Sequence, residues 1–324
     1  MQIISTISNK SLFLKDILET SDIIRLNCSH LNREWIEQLL SNTKNFPPLF
    51  LDLQGHKIRV STLFDKEQKL FNNEIIYLCS EDYYIKNNLK FKKDYIPLNF
   101  KTNLAPLTNV KKVLVNNETE FKILKFENDS VLKVQVSGEC ILRKEKGINF
   151  VGYDRRNLPI SQKDQEDLLI YLKYKPKYVC YSFTESKDNL LEIKELLISH
   201  PEIKLIAKIE SQYGLDNIVE ILEYCDGVLL GRGDLSKEVC ILDIAEIQDS
   251  IINTCLKNNK EIFIGTDILA TMIRKQTPSV SEIMALSYFK EKNITGIMLS
   301  DETVIGKNPV KCINVCKEIL KKEV

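Results

Sequence analysis

The sequence predicts an α/β fold: a (β/α)8 TIM barrel carrying a β-rich domain inserted after strand 3. Three observations predict it. Short apolar runs alternate with helix-length amphipathic stretches along most of the 324 residues. The alternation stops over residues 61–146, where Asn, Asp, Glu and Gly separate the apolar runs instead of helices. Several apolar runs also break abruptly into charge, where parallel α/β sheets put their chemistry.

In chain order, residues 3–7 read as the first strand and 12–18 as a helix. A second strand spans 22–27 and a helix 32–40; the third strand is 48–53. Short strands at 75–79, 113–115, 121–126 and 131–136 fill the insertion, with little helical periodicity between them. A helix follows at 162–173, with Ser161 as N-cap and Asp164 giving a weakened capping box. Strands are expected at 178–182, 203–208, 227–230, 262–266 and 296–300, and a last helix at 310–322. The domains expected are barrel over 1–60, insertion over 61–146 and barrel again over 147–324. An open doubly wound sheet is the alternative, weakened because no Gly-x-Gly-x-x-Gly follows the first strand.

Bulk properties exclude some functions. Forty-five Lys and Arg balance forty-five Asp and Glu, so the net charge gives no pull toward nucleic acid or an anionic membrane. No apolar run approaches a membrane span, and the N-terminus has no basic region before a long apolar segment, so a cytoplasmic protein is expected. None of the nine cysteines forms a Cys-x-x-Cys pair. Cys312 and Cys316, four apart on a helix, have metal-ligand spacing, but free thiols are the better reading with three histidines in the chain.

The residues just past the strands carry the chemistry. They are Arg25, Asn27 and Ser29; Asp52 with Lys57 and Arg59; Lys208 and Glu210; Arg232 and Asp234; Thr266; and Ser300 with Glu302. In a barrel all converge on one rim. Two carboxylates with a Lys beside them suit a Mg²⁺ or Mn²⁺ ion and a phosphorylated or enolic anion.

These residues also carry a resemblance. Ile24-Arg25-Leu26-Asn27-Cys28-Ser29-His30 resembles R-L-N-F-S-H-G of the pyruvate kinase family, and Asp52-Leu53-Gln54-Gly55-His56-Lys57-Ile58-Arg59 resembles D-L-Q-G-P-K-I-R. Lys208-Ile209-Glu210-Ser211 is similar to K-I-E-N, Arg232-Gly233-Asp234-Leu235 to R-G-D-L-G, and Ile297 to Thr303 to I-M-L-S-G-E-T. The resemblance implies a lid domain in the insertion and phosphoryl transfer between phosphoenolpyruvate and ADP, giving pyruvate and ATP. It implies Glu210 and Asp234 as metal ligands. Arg25, Lys208, Gly233, Asp234 and Thr266 would bind substrate, and Lys208, Thr266, Arg25, Ser300 and Glu302 would act in catalysis. Asn27, His30, Arg59 and Lys146 would face the nucleotide. Leu53 and Lys57 resemble the K⁺-independent subgroup, with the Lys57 ammonium replacing the monovalent ion. A homo-oligomer is possible. The family's C-terminal regulatory domain is not expected in this chain.

Departures from the family pattern leave the lid and nucleotide-facing residues eroded and, at Asp301, bring an extra negative charge to the active rim. Asn117 stands where the lid motif V-D-D-G has its second Asp, Glu185 where S-F-V-R has Arg, and Asp301 where I-M-L-S-G-E-T has Gly. Leu31 and Ser236 replace glycines. Trp35, on a helix, reads as packing. Two other functions stay open: an enzyme of the same barrel type using phosphoenolpyruvate or a 2-oxo acid with another acceptor or none, and a non-catalytic binding or regulatory protein.

Overall fold

The computed structural model describes residues 1–115 and 119–321. The chain opens with β1 (Gln2–Thr6), α1 (Leu14–Thr20), β2 (Ile23–Asn27), α2 (Arg33–Asn42) and β3 (Leu49–Leu53). The insertion carries β4 (Gln68–Leu70), β5 (Ile75–Cys79), α3 (Glu81–Lys86), β6 (Tyr95–Pro97), β7 (Lys112–Leu114), β8 (Glu120–Asn128), β9 (Val131–Ser137), β10 (Cys140–Leu142) and β11 (Asn149–Val151). Alternation resumes with α4 (Gln162–Leu172), β12 (Tyr178–Tyr181), α5 (Asp188–Leu196), β13 (Lys204–Ile209), α6 (Gln212–Asp216) and α7 (Ile218–Glu223). It continues through β14 (Gly227–Gly231), α8 (Arg232–Glu238), α9 (Ile244–Lys257), β15 (Glu261–Gly265), α10 (Val280–Glu291), β16 (Gly296–Leu299), α11 (Asp301–Val304) and α12 (Pro309–Lys321).

Two compact units result. The first comprises Met1–Gly55, Arg156–Ser236 and Ile241–Val324; the second comprises His56–Arg155 and Lys237–Cys240. In the first, eight parallel strands close into a barrel in the order β1-β16-β15-β14-β13-β12-β3-β2. This is the predicted (β/α)8 architecture. The second unit holds a two-stranded sheet and a six-stranded sheet ordered β11-β7-β8-β9-β5-β6. Helix α3 lies in a stretch expected to be nearly free of helix. Ser80 caps it by accepting the Tyr83 N–H, a local signal that a search for apolar periodicity does not see.

A plug of packed side chains fills the barrel. Ile4, Ile23, Phe50, Tyr178, Cys180, Ile206, Leu229, Phe263 and Met298 form a buried cluster drawn from all eight strands. Phe263 meets Phe50 and Tyr178 edge-on, with ring centroids 5.7 and 5.2 Å away. A filled interior leaves chemistry to the rim.

Capping and burial explain the element ends. Asn32 caps α2 through the Trp35 N–H at 3.0 Å. Ser161 caps α4, but Asp164 does not complete a box there. Its carboxylate accepts the Gln54 and Gly55 N–H groups at 2.8 and 3.1 Å, fixing the turn after β3. Burial pushes Asp164 up to about 6 against these bonds. The full capping box is at Ser279 and Glu282, starting α10. Cys312 and Cys316 are both fully buried on α12, free thiols in the core, and burial pushes Cys312 up to about 12.

Candidate active site

Side chains alternate along a strand, so the residue two places beyond each plug residue points inward one layer higher. Counting from the plug gives Thr6 above Ile4, Arg25 above Ile23, Asp52 above Phe50 and Ser182 above Cys180. It also gives Lys208 above Ile206, Gly231 above Leu229 and Ser300 above Met298. The hydrogen bonds agree with this count. Arg25 donates to Asp52 Oδ2 through Nε at 2.8 Å and Nη2 at 2.7 Å, and through Nη1 to Thr6 Oγ1 at 3.0 Å. Lys208 Nζ reaches Asp52 Oδ2 at 3.3 Å, Ser182 Oγ at 3.2 Å and Glu210 Oε1 at 3.2 Å. The Ser182 hydroxyl donates to Asp52 Oδ1 at 3.1 Å.

Asp52 is therefore the hub. Burial alone would raise its carboxyl pKa, but Lys208 and Arg25 outweigh that and hold it below the usual carboxylate range. Burial would likewise lower the Lys208 ammonium, yet Asp52 and Glu210 hold it above the ordinary lysine value. Both groups are charged at neutral pH, as a buried ion pair must be to persist. Sequence reading put Asp52 on the rim without a role and missed Thr6 and Ser182; the period-two count from the plug is the signal that finds them.

The turns beyond the strands aim the remaining groups. Phe183 has φ 52°, in the left-handed region, and its N–H donates to Glu210 Oε2 at 3.1 Å. Gly231 makes room for that carboxylate: a Cβ there would lie 2.6 Å from Glu210 Cγ. Thr266 and Asp267 follow β15 with φ of 68° and 53°, an uncommon conformation for a β-branched residue. Arg232 holds this turn. Its guanidinium donates to the carbonyls of Gly265 at 3.3 Å, Thr266, and Asp267 at 3.1 Å, and lies over the Phe289 ring. Its Nη1 also reaches Gln248 Oε1 on α9 at 3.4 Å. Gly233 admits Thr266, whose Cγ2 would lie 2.7 Å from a Cβ at that position. Asp234 sits half-buried in the first turn of α8.

Beside the charge cluster lies a cavity of about 320 Å³ lined by Thr6, Ile7, Arg25, Asn27, His30, Leu31, Trp35, Thr266, Ser300, Asp301 and Val304, among others. It gathers Arg25, Asn27, His30, Thr266 and Ser300 from the sequence expectations. Trp35, half-buried on α2, is in its wall. Glu302 lies behind Ser300, 2% exposed, accepting the Ser300 N–H at 2.8 Å and the Leu269 N–H at 3.1 Å. Burial raises its pKa. The cavity does not include Lys208, Glu210, Gly233 or Asp234; Arg25 belongs to both the cavity and the charge cluster.

Arg59, Lys146 and Lys57 lie in the second unit. They gather around Gly147: Arg59 bridges it in antiparallel fashion, Lys146 precedes it, and the Lys57 stem lies 3.0 Å from where its Cβ would be. Arg59 Nη1 donates to the Glu145 carbonyl at 2.8 Å. Burial, with Lys237 and Arg143 nearby, lowers the Lys146 ammonium. Asn117 lies outside the described residues. Glu185 is fully buried, its backbone tied to Asn189 and Asn217.

A family model for the pyruvate kinase barrel domain matches residues 1–313. The chain belongs to the pyruvate kinase family. Similar curated proteins include a pyruvate kinase of Clostridium perfringens, 29% identical over 308 residues, with 92% of this chain and 64% of that one covered. Pyruvate kinase 2 of Saccharomyces cerevisiae is 30% identical over 313 residues, covering 91% of this chain and 60% of its own length. The pyruvate kinase of Borreliella burgdorferi is 26% identical over 332 residues, covering 99% and 68%. The chain thus spans about two thirds or less of these three pyruvate kinases. No described helix is long and apolar enough to cross a membrane.

The site can be tested against the divalent ion the family implies. Among the described residues no group of three or more His, Cys, Asp or Glu is assembled to hold a metal. Glu210 and Asp234 supply two hard carboxylates, a donor set that fits Mg²⁺ or Mn²⁺, which take remaining ligands from substrate and water.

Proposed function

We propose that the barrel rim transfers a phosphoryl group between phosphoenolpyruvate and a nucleoside diphosphate, giving pyruvate and a nucleoside triphosphate. The observation that carries this reading is the charge balance around Asp52. Two inward cations, Arg25 and Lys208, are matched by Asp52 and Glu210. Asp234 adds a further carboxylate. Such a site has no surplus positive charge for a multiply charged anion, so a phosphorylated acid would enter with a cation. Glu210 and Asp234 would hold Mg²⁺ or Mn²⁺, which when bound supplies charge neutralisation for the phosphoryl group.

The chain's own residues do the rest. Arg25 spends three of its donors on Asp52 and Thr6, leaving N–H groups for phosphoryl oxygens. Lys208 is pinned by Asp52, Ser182 and Glu210, and exchanging the neutral Ser182 for a phosphoryl oxygen costs it least. Gly233 and Asp234 backbone amides, with Thr266, would hold the substrate carboxylate. As the bond between phosphorus and the enol oxygen breaks, phosphorus forms a bond to a terminal phosphate oxygen of the nucleotide, and the enol oxygen stays on its carbon as the enolate. The enolate then takes a proton at its methylene carbon; Thr266 and Ser300 line the cavity for this step, with Glu302 behind as the proton-holding group. Positioning and positive charge, not covalent help, make up the catalysis. The Leu53 side chain is fully buried and apolar, offering no side-chain oxygen to a monovalent ion, which favours Lys57 as the ion's substitute.

The test is pyruvate release from phosphoenolpyruvate with Mg²⁺ and a nucleoside diphosphate, in K⁺ or Na⁺. Nucleotide-dependent release is expected at similar rates in both salts, and Lys208→Ala should lower it about 10³-fold or more. A variant at full rate refutes the role of Lys208, and a large K⁺ stimulation refutes that of Lys57.

A further inference from the structure

We infer that the cavity beside the charge cluster selects a guanine nucleotide over an adenine nucleotide, with Asp301 as the selecting residue; this rests on the nucleotide-dependent reading above. Three features carry it. The wall includes the Trp35 indole with Leu31 and Val304, a flat aromatic and apolar surface of the kind on which a base stacks. Arg25 lies at the same cavity and joins it to the charge cluster, so a ligand with a flat apolar ring and an anionic tail matches both ends. Asp301 also lines the cavity; it is exposed, and its carboxylate makes no hydrogen bond or ion pair among the described residues.

A carboxylate is acceptor-only and can take two parallel N–H groups. Guanine presents such a pair side by side, its ring N1–H and its exocyclic amino group. Adenine presents one amino group beside a ring nitrogen whose lone pair opposes the carboxylate. Uracil flanks its single ring N–H with two carbonyl oxygens, which oppose it too. The same group thus attracts one base and repels others, and discrimination needs both effects. Asp301 is within the cavity that the indole walls, so stacking and edge recognition act on one ring.

Trp35 is the chain's single tryptophan, so its fluorescence reports the cavity without reference to turnover. GDP is expected to quench it at a concentration at least tenfold below ADP, and to be preferred at least tenfold in kcat/KM for pyruvate release. Asp301→Asn should reverse the order, because an amide accepts from the adenine amino group while donating to the adjacent ring nitrogen. Equal quenching by GDP and ADP overturns the inference, as does an Asp301→Asn variant with an unchanged ratio. Pyruvate release with GDP and ADP at equal kcat/KM overturns the inference while leaving phosphoryl transfer standing. No quenching and no release with either nucleotide overturns both.

Discussion

Asp52 shows how one side chain can be both scaffold and chemistry. It takes two bonds from Arg25, one from Ser182 and one from Lys208 while 1% exposed. Removing its charge leaves two cations facing inward without their shared partner. Asp52→Asn should therefore cost about 3–5 kcal/mol of stability at pH 7 in denaturant melts, the usual cost of breaking a buried pair. The acid side gives a second readout. The folded carboxyl titrates below its ordinary value of 3.8, so both states are ionised above that value and the stabilisation is complete. As the pH falls past it, the unfolded chain binds the proton first, and stability declines until the folded group also protonates. Wild-type protein should lose stability below about pH 4 more steeply than the variant. An equally steep variant would remove Asp52 from the explanation. At this scale Lys208, Glu210 and Arg25 were legible, because charge after an apolar run is conspicuous. Thr6 and Ser182 were not, because small hydroxyl residues look alike whether they face a ligand or a solvent turn.

The element that matters most is the turn after β15. Two successive non-glycine residues, Thr266 and Asp267, sit in the left-handed region. Each costs roughly 1–2 kcal/mol relative to ordinary backbone. What holds them is a side chain from the start of α8, the Arg232 guanidinium on three consecutive carbonyls. A Lys at 232 keeps the charge but lacks the planar fork. Arg232→Lys is expected to lower kcat about 10–100-fold through a displaced Thr266, with a smaller effect on the melting temperature. A variant with wild-type kcat would show that the turn holds its shape unaided. The strand before this turn was legible from its apolar run, whereas the turn was not: its conformation depends on an arginine more than thirty positions earlier in the chain. The same holds for Asp164, which reads as half of a local cap and instead fixes the turn after β3, 109 residues away from Gly55. Helix α3 was missed for the opposite reason, being too short to show a period.

For the molecule as a whole, the barrel was legible because strands buried on both faces read as continuous apolar runs, and the insertion because helical periodicity stops there. The closing of the ring was legible only as a count of eight. Thiol chemistry offers a check on how completely this core is sealed. Eight of the nine cysteines are buried and Cys240 is exposed. A thiol reagent should modify one group quickly in the native protein and nine after denaturation; several fast groups would contradict the core. The ring is sealed between its first and last strands. Gln2 faces Gly296, the Thr6 hydroxyl donates to the Leu299 carbonyl at 2.8 Å, and Thr303 Oγ1 donates to the Thr6 carbonyl at 2.8 Å. On the ribosome, β1 is thus made before the other seven barrel strands and finds its second neighbour only when β16, the last of the eight, emerges. β3 meanwhile waits for β12 until the whole insertion has been made. Pairings so far apart in sequence form slowly, and an unpaired strand edge is open to other chains while it waits. The late arrival of residues 296–299 makes the nascent chain, rather than the finished barrel, the species most in need of protection from aggregation.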